Sequence, residues 1–139
     1  MLKNIDKVLS PKLLKTLCEM GHGDELVIAD GNFPSVSMSD NVIRADGLGV
    51  EELLRGIMKL FPLDRVVEKN VFLMDVPQGE EKPAIWNKYR SSIEESGEVY
   101  CEEYLERYAF YERAKKSFAV VATSEKALYA NIIIRKGTC

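Results

Sequence analysis

This 139-residue chain has one histidine, His22, and it sits between two glycines in Gly21-His22-Gly23-Asp24-Glu25. Histidine is the side chain whose unperturbed pKa lies nearest neutrality, so a lone one suits proton transfer. It cannot build a multi-histidine metal site. Glycine tolerates positive φ and the close approach of another group, so a loop flanked this way leaves room beside the ring. A plainer reading fits the same residues: Gly21 is the left-handed residue ending a helix, and His22 packs over the last turn. Further on, Asp30-Gly31-Asn32 leaves the apolar run Leu26-Val27-Ile28-Ala29. Asp30 offers a carboxylate acceptor there, although Asp, Gly and Asn are also the usual residues of a strand-exit turn.

Few other chemistries are open. Cys18, Cys101 and Cys139 are an odd count without metal-ligand spacing, so neither a disulfide framework nor a zinc site is supported. Cys18 falls in the apolar pattern of a helix and is expected in the core, where free cysteine packs as a small hydrophobe. Glu102 and Glu103 follow Cys101 in sequence and, if near it in space, disfavour a thiolate. The formal charge of -3 and the lack of a basic run with interleaved aromatics argue against nucleic acid and anionic lipid as partners. No apolar run is long enough to span a membrane, and the first residues lack the apolar region of a signal peptide, so the cytoplasm is the expected compartment.

The elements that must position these residues alternate along the chain. The length predicts one domain, residues 1–139, and the 46% hydrophobic and 29% charged fractions are those of an ordinary soluble protein. Ser10 can cap a helix that Pro11 begins. Leu13, Leu14, Leu17, Cys18 and Gly21 follow helical spacing on one face. Leu26 to Ala29 reads as a strand covered on both sides. Ser35 to Asp40 is a small-polar segment, and Asn41 to Arg44 a second strand. Val50 to Leu60 reads as a helix stopped by Pro62. Asp64–Val67 and Val71–Met74 are strand candidates, and Val76 to Lys82 is a loop. Pro83 begins a helix that Gly97 ends. Val99–Tyr104 is a weaker strand, Phe110 to Lys116 a short helix, and Phe118 to Thr123 a buried strand. Tyr129 to Ile134 reads as the last strand, with Arg135-Lys136-Gly137 solvating its end. This alternation predicts an α/β fold: one three-layer domain with helices on both faces of a mixed, mostly parallel sheet.

Several stretches together resemble the ribose pyranase and fucose mutarotase family, RbsD/FucU. They are GHGDELVIADGNFP from Gly21 to Pro34, RADG from Arg44 to Gly47, and PAIWNKY from Pro83 to Tyr89. ERYAFYERAKKSFAVVAT from Glu106 to Thr123 and YANIIIRKG from Tyr129 to Gly137 complete the set. The likeness covers essentially the whole chain and is closer to the fucose mutarotase branch, through the Trp86 helix and the Arg107–Arg113 segment. Two positions depart from that branch, which usually has glycine where Ser124 and Ala130 stand.

The resemblance implies interconversion of anomers of an unphosphorylated sugar, L-fucose first, without metal or organic cofactor, in closed rings of subunits, decameric or similar. It makes His22 the acid/base residue and places Asp30, Arg107, Tyr129 and Asn131 on sugar-binding positions, with Ala130 contributing backbone. Taken as residues, Arg107 is equally a surface partner of Glu103 or Glu106. Tyr129 and Asn131, two apart, would share one side of a strand. Trp86 and Tyr89, three apart on a helix, fit either the apolar face of a sugar or core and subunit packing.

One tension remains in the sequence. The stretch from His22 to Asp30, if extended, spans about 26 Å. Either the glycine loop folds back, or neighbouring subunits supply different parts of one site, which a ring makes easy. Other functions stay open: D-ribose pyranase, mutarotation of another free monosaccharide, a noncatalytic sugar-binding accessory, or a purely structural ring.

Overall fold

Ser10 starts the first helix as its residue type suggests. In the computed structural model, which describes all residues from Met1 to Cys139, its hydroxyl accepts the Leu13 amide at 3.2 Å. Helix α1 runs Pro11–Glu19 with Pro11 at its first position, where a missing N–H costs nothing. Strand β1 follows at Glu25–Ala29, then the short helix α2 at Ser35–Met38, β2 at Val42–Ala45 and α3 at Val50–Met58. The second half holds β3 (Val71–Met74), α4 (Ile85–Glu95), β4 (Glu102–Leu105), α5 (Arg107–Lys115), β5 (Ala119–Thr123) and β6 (Ile132–Arg135).

The six strands form one sheet in the order β2-β5-β1-β6-β3-β4. β1 and β2 both run parallel to β5, and β3 runs parallel to β4. β6 alone opposes its neighbours, pairing antiparallel with β1 and β3. The carboxyl ends of five strands and the start of β6 therefore share one edge of the sheet.

Alternate side chains of β1 enter separate cores. Leu26 and Ile28 pack with Leu13, Leu53, Trp86 and Tyr89 of α1, α3 and α4. Val27 and Ala29 pack with Phe110 and Ala114 of α5 on the other face. Helices thus cover both faces, which is why the central strands read as unbroken apolar runs. Val50, Leu53, Leu54 and Ile57 of α3 are each fully buried, worth about 2 kcal/mol apiece before entropy is charged against them.

Several expectations need correction. Cys18 is exposed, because the buried row of α1 is Leu13, Thr16 and Leu17, and Cys18 lies one position off it. The helix ends in an extended Met20, so Gly21 is not a left-handed cap. Ser35 begins a helical turn rather than a plain polar segment. Asp64–Val67 is not a strand: the Asp64 carboxylate accepts the Val66 amide at 3.0 Å and bends the chain. The weak strand near Val99 forms later, at Glu102–Leu105. Helix α5 starts at Arg107, because the Glu106 carboxylate caps the amides of Tyr108 and Ala109. β6 begins only at Ile132, since Tyr129 has φ +55°, outside any strand conformation. Arg135 does not simply solvate the end of β6, because it is half-buried between two carboxylates. No helix is long and apolar enough to cross a membrane.

Candidate active site

Asp30 leaves the end of β1 at the edge where the parallel strands finish, the edge at which open α/β sheets bind ligands. It is only 6% exposed. The Asn131 side chain answers it twice: Oδ1 accepts the Asp30 amide at 2.7 Å, and Nδ2 donates to Asp30 Oδ2 at 3.1 Å. The Asn32 amide donates to Oδ1 at 3.0 Å. Every donor is neutral. Burial pushes the Asp30 carboxyl above its ordinary range, and the amides of Asn32 and Ala130 and the side chain of Asn131 only partly oppose it.

Tyr129 and Ala130 lead into this pair through a bent backbone. A tyrosine at φ +55° is held against its preference, so its surroundings must fix it. Trp86 Nε1 donates to the Tyr129 carbonyl at 2.9 Å and Tyr89 Oη to the Ala130 carbonyl at 2.8 Å. Both rings are buried to 1% exposure, and Trp86 stacks on Tyr104 with centroids 5.5 Å apart. The sugar-facing reading of Trp86 and Tyr89 therefore gives way to packing: their apolar bodies fill the core and their polar tips hold the bend. Burial, with Glu125, Asp30 and Glu51 nearby, raises the Tyr89 phenol, so it stays a donor.

Arg107 opens α5 at the same edge. Its Nε donates to the Tyr111 hydroxyl oxygen at 3.0 Å, one helical turn on, rather than pairing with Glu103 or Glu106. Tyr111 stands edge-on to Phe33, centroids 5.5 Å apart, and Phe33 follows Asp30 in the same loop. Arg107 is exposed, and Tyr111 and Tyr129 are half-buried. Sequence reading missed Tyr111. The signal was its four-residue spacing from Arg107, hidden because the helix was expected to start at Phe110. A hollow of about 240 Å³ beside Asp30 is lined by Phe33, Ser35, Arg44 and Thr123.

His22 lies at the opposite edge. Its loop is tied to the end of β6, with the Gly23 amide donating to the Lys136 carbonyl at 2.8 Å. Gly23 has φ +89°, which favours glycine, and a β-carbon there would crowd the tip of Arg135 at 3.2 Å. The ring is half-exposed, and its Nε2 lies 3.1 Å from Oδ1 of Asp64. Asp64 has a side chain only 1% exposed. It also accepts Arg135 Nε at 3.0 Å. Burial alone would raise the Asp64 carboxyl, but the Val66 amide, Arg135 and His22 together hold it below the usual carboxylate range. Gly137 makes this closeness possible, since a β-carbon there would fall 2.4 Å from the Leu63 carbonyl oxygen.

Asp30, Arg107, Tyr129, Ala130 and Asn131 are thus brought to one rim, joined by Tyr111, while His22 sits at the far end of β1 with Asp64. The five-residue strand alone separates them by about 16 Å. No three His, Cys, Asp or Glu side chains are grouped to hold a metal ion.

Comparison with known proteins identifies the family. The profile of the RbsD / FucU transport protein family matches residues 3–139. The fucose mutarotase of Mus musculus is 52% identical over 144 aligned positions, covering 99% of this chain and 94% of its own. The L-fucose mutarotase of Actinobacillus pleuropneumoniae is 49% identical, covering 99% and 96%. The crystal structure of a fucose mutarotase from Streptococcus pneumoniae in complex with L-fucose superposes with a TM-score of 0.96 and 51% identity, over 99% of each chain. With the match running the length of the sequence and the sheet shared, this chain belongs to the RbsD/FucU family.

Proposed function

We propose that this protein is an L-fucose mutarotase, an isomerase that interconverts the α and β anomers of the free sugar. The observation that carries this reading is the full-length match to the L-fucose-bound mutarotase of Streptococcus pneumoniae.

The reaction needs two proton movements. A base takes the proton of the anomeric hydroxyl while an acid protonates the ring oxygen. The bond between C1 and the ring oxygen breaks, giving an open aldehyde and a free hydroxyl. Rotation about C1–C2 and reclosure, with the protons returned, give the other anomer. No electrons leave the sugar. His22 moves a proton, and such a group typically contributes about 100- to 10,000-fold. Asp30 accepts sugar hydroxyls, and Asn131, with its amide engaged on Asp30, holds that carboxylate in place. Arg107 offers a fork of donors to sugar oxygens. Since Arg107 already donates to the Tyr111 oxygen, the phenol proton of Tyr111 is left free to donate outward. Tyr129 and the Ala130 backbone complete the rim.

The separation of His22 from Asp30 supports a site completed by a neighbouring subunit of a closed ring, with His22 of one copy facing the Asp30 rim of the next. Closed symmetry is the usual form of soluble homo-oligomers.

Exchange NMR on L-fucose, D-ribose, galactose and glucose tests the activity. Excess anomer exchange on L-fucose is expected; exchange no faster than buffer, with folded protein, would sink the reading, and pyranose–furanose exchange on ribose alone would move it to the pyranase branch. Co-expression tests the shared site. At sugar concentrations too low to saturate an Asp30→Ala site, rings mixed from His22→Ala and Asp30→Ala subunits, each strongly impaired alone under that condition, should regain activity at about one quarter of their sites, where an intact His22 meets an intact Asp30. No recovery from a proven mixed ring would mean that each subunit holds a whole site.

A further inference from the structure

The charges behind His22 form a line that the proposed mechanism does not use. Glu25, at the start of β1, sits opposite Arg135 in the β1–β6 register. Its carboxylate takes Arg113 Nε at 2.9 Å and lies 3.4 Å from Arg135 Nη1. Arg135 Nε donates to Asp64 Oδ2, and Asp64 Oδ1 faces the imidazole. The order is therefore Arg113, Glu25, Arg135, Asp64, His22, alternating in sign up to the ring.

This order decides which imidazole nitrogen carries the proton. An ionised carboxylate only accepts, and a guanidinium only donates. With Arg135 and the Val66 amide on its oxygens, Asp64 is a carboxylate with nothing to give. At 3.1 Å a bare imidazole nitrogen would set its lone pair against that of Asp64 Oδ1, so the proton belongs on Nε2. No hydrogen bond of the protein engages Nδ1, and the ring is half-exposed.

We infer that Asp64 and Arg135 are positioning residues that hold neutral His22 as the Nε2–H tautomer, so that Nδ1 is the nitrogen exchanging a proton with the sugar. The assignment rests on the mutarotase reading for its sugar, but not for its tautomer. Asp64 touches the histidine; Arg135 acts through Asp64, and Glu25 restrains Arg135. A guanidinium suits the middle place because its fork reaches two carboxylates at once.

Because His22 is the only histidine, labelling histidine with 15N gives one unambiguous imidazole. Long-range 1H–15N correlation at about pH 9, above the usual imidazole range, reads its tautomer in the unaltered protein. The Nε2–H pattern is expected; an Nδ1–H pattern or an even mixture overturns the inference. In Asp64→Ala the carboxylate facing Nε2 is gone, so the tautomer should relax toward the mixture of a free imidazole. The maximal exchange rate on L-fucose should then fall on the order of 100-fold with the half-saturating sugar concentration little changed. Arg135→Met should loosen the tautomer and slow exchange, while Arg135→Lys, which keeps a cation beside Asp64, should restore much of both. Unchanged tautomer and rate in a folded Asp64→Ala would overturn the positioning role. If the unaltered protein shows Nε2–H but no exchange on any sugar, the mutarotase reading fails and the tautomer assignment stands.

Discussion

At the edge where the parallel strands end, Asp30 is surrounded by neutral donors: the amide of Asn32 and the side-chain amide of Asn131. At the other edge Asp64, a second buried aspartate, has the guanidinium of Arg135 and the ring of His22. Burial pushes both carboxyls up, and only Asp64 has charged partners able to reverse that push. The contrast teaches what each edge is for. Asp30 has donors but no cation, and on the proposed function a polyol brings further hydroxyls to it. Asp64 is already satisfied, so it can orient a neighbour but gains little from a ligand. On the proposed function, one edge binds and the other holds a proton carrier still.

Removing the proton carrier should have the largest effect. His22→Ala should slow anomer exchange on the order of 100-fold or more while folding and assembly persist, because a half-exposed ring on a glycine loop carries little core packing. His22→Gln should be nearly as poor, since an amide hydrogen-bonds but does not shuttle a proton near neutrality. Exchange rates with sedimentation as control check this. Near-native exchange in His22→Gln would erase the functional distinction between the edges.

Gly137→Ala attacks the same edge through packing. The new methyl would meet the Leu63 carbonyl at 2.4 Å, against backbone that must shift as a whole. We expect a loss of about 2 kcal/mol in urea unfolding together with slower exchange, since Asp64 follows Leu63. Full stability with full activity would show that the Asp64 loop is less tightly placed than its contacts indicate.

Asp30→Asn should act on binding instead. A hydrogen bond from a hydroxyl to a charged acceptor is worth about 1.5–3 kcal/mol, so the half-saturating L-fucose concentration should rise about tenfold or more, with a smaller change in maximal rate. A pure loss of maximal rate would make Asp30 a proton-transfer partner and collapse the contrast with His22.

The two edges were unequally legible. Buried strands announced themselves as apolar runs, Leu26–Ala29 and Phe118–Thr123, because both faces of the sheet are covered. Ser10-Pro11 announced a helix start for reasons local to those residues. Asp30, Arg107, Tyr129, Ala130 and Asn131 were singled out because they lie in stretches that carry the family likeness, and the structure groups them at one rim. At the His22 edge the sequence singled out the histidine, by its glycines and by the family likeness, but not its partners. Asp64 looked like part of a strand and Arg135 like a solvated end. Their meaning depends on β6 running against β1 and on Gly137 letting Leu63 close in, contacts far apart in sequence. Tyr129 misled for a different reason. Its alternation with Asn131 suits a strand, but Trp86 and Tyr89 clamp its carbonyl and the next into a left-handed bend that spacing does not reveal.

The smallest predicted effect separates the aspartates by pH. Asp64 has a folded-state pKa below its ordinary 3.8, so its stabilisation is complete above that value and is lost as pH falls through the lowered one. Asp30 has the opposite sign. Its folded-state pKa lies above 3.8, so ionising it costs stability as pH rises from 3.8 through the raised value, and acid relieves that cost over the same interval. Acidification of the unaltered protein should therefore be cushioned by Asp30 at first and then, below about pH 4, sharpened by Asp64. Other carboxylates titrate too, among them Asp6, held low chiefly by its hydrogen bond to Lys59, so the comparison must be made between variants. Urea midpoints for Asp30→Asn should lose the cushioned upper part of the profile and keep the steep lower part. Asp64→Asn should be less stable at neutral pH and show a shallower fall below pH 4, because the ionisation that acid would reverse is already gone. Profiles of both variants parallel to the unaltered protein would mean that the two carboxylates do not differ in the way their partners require.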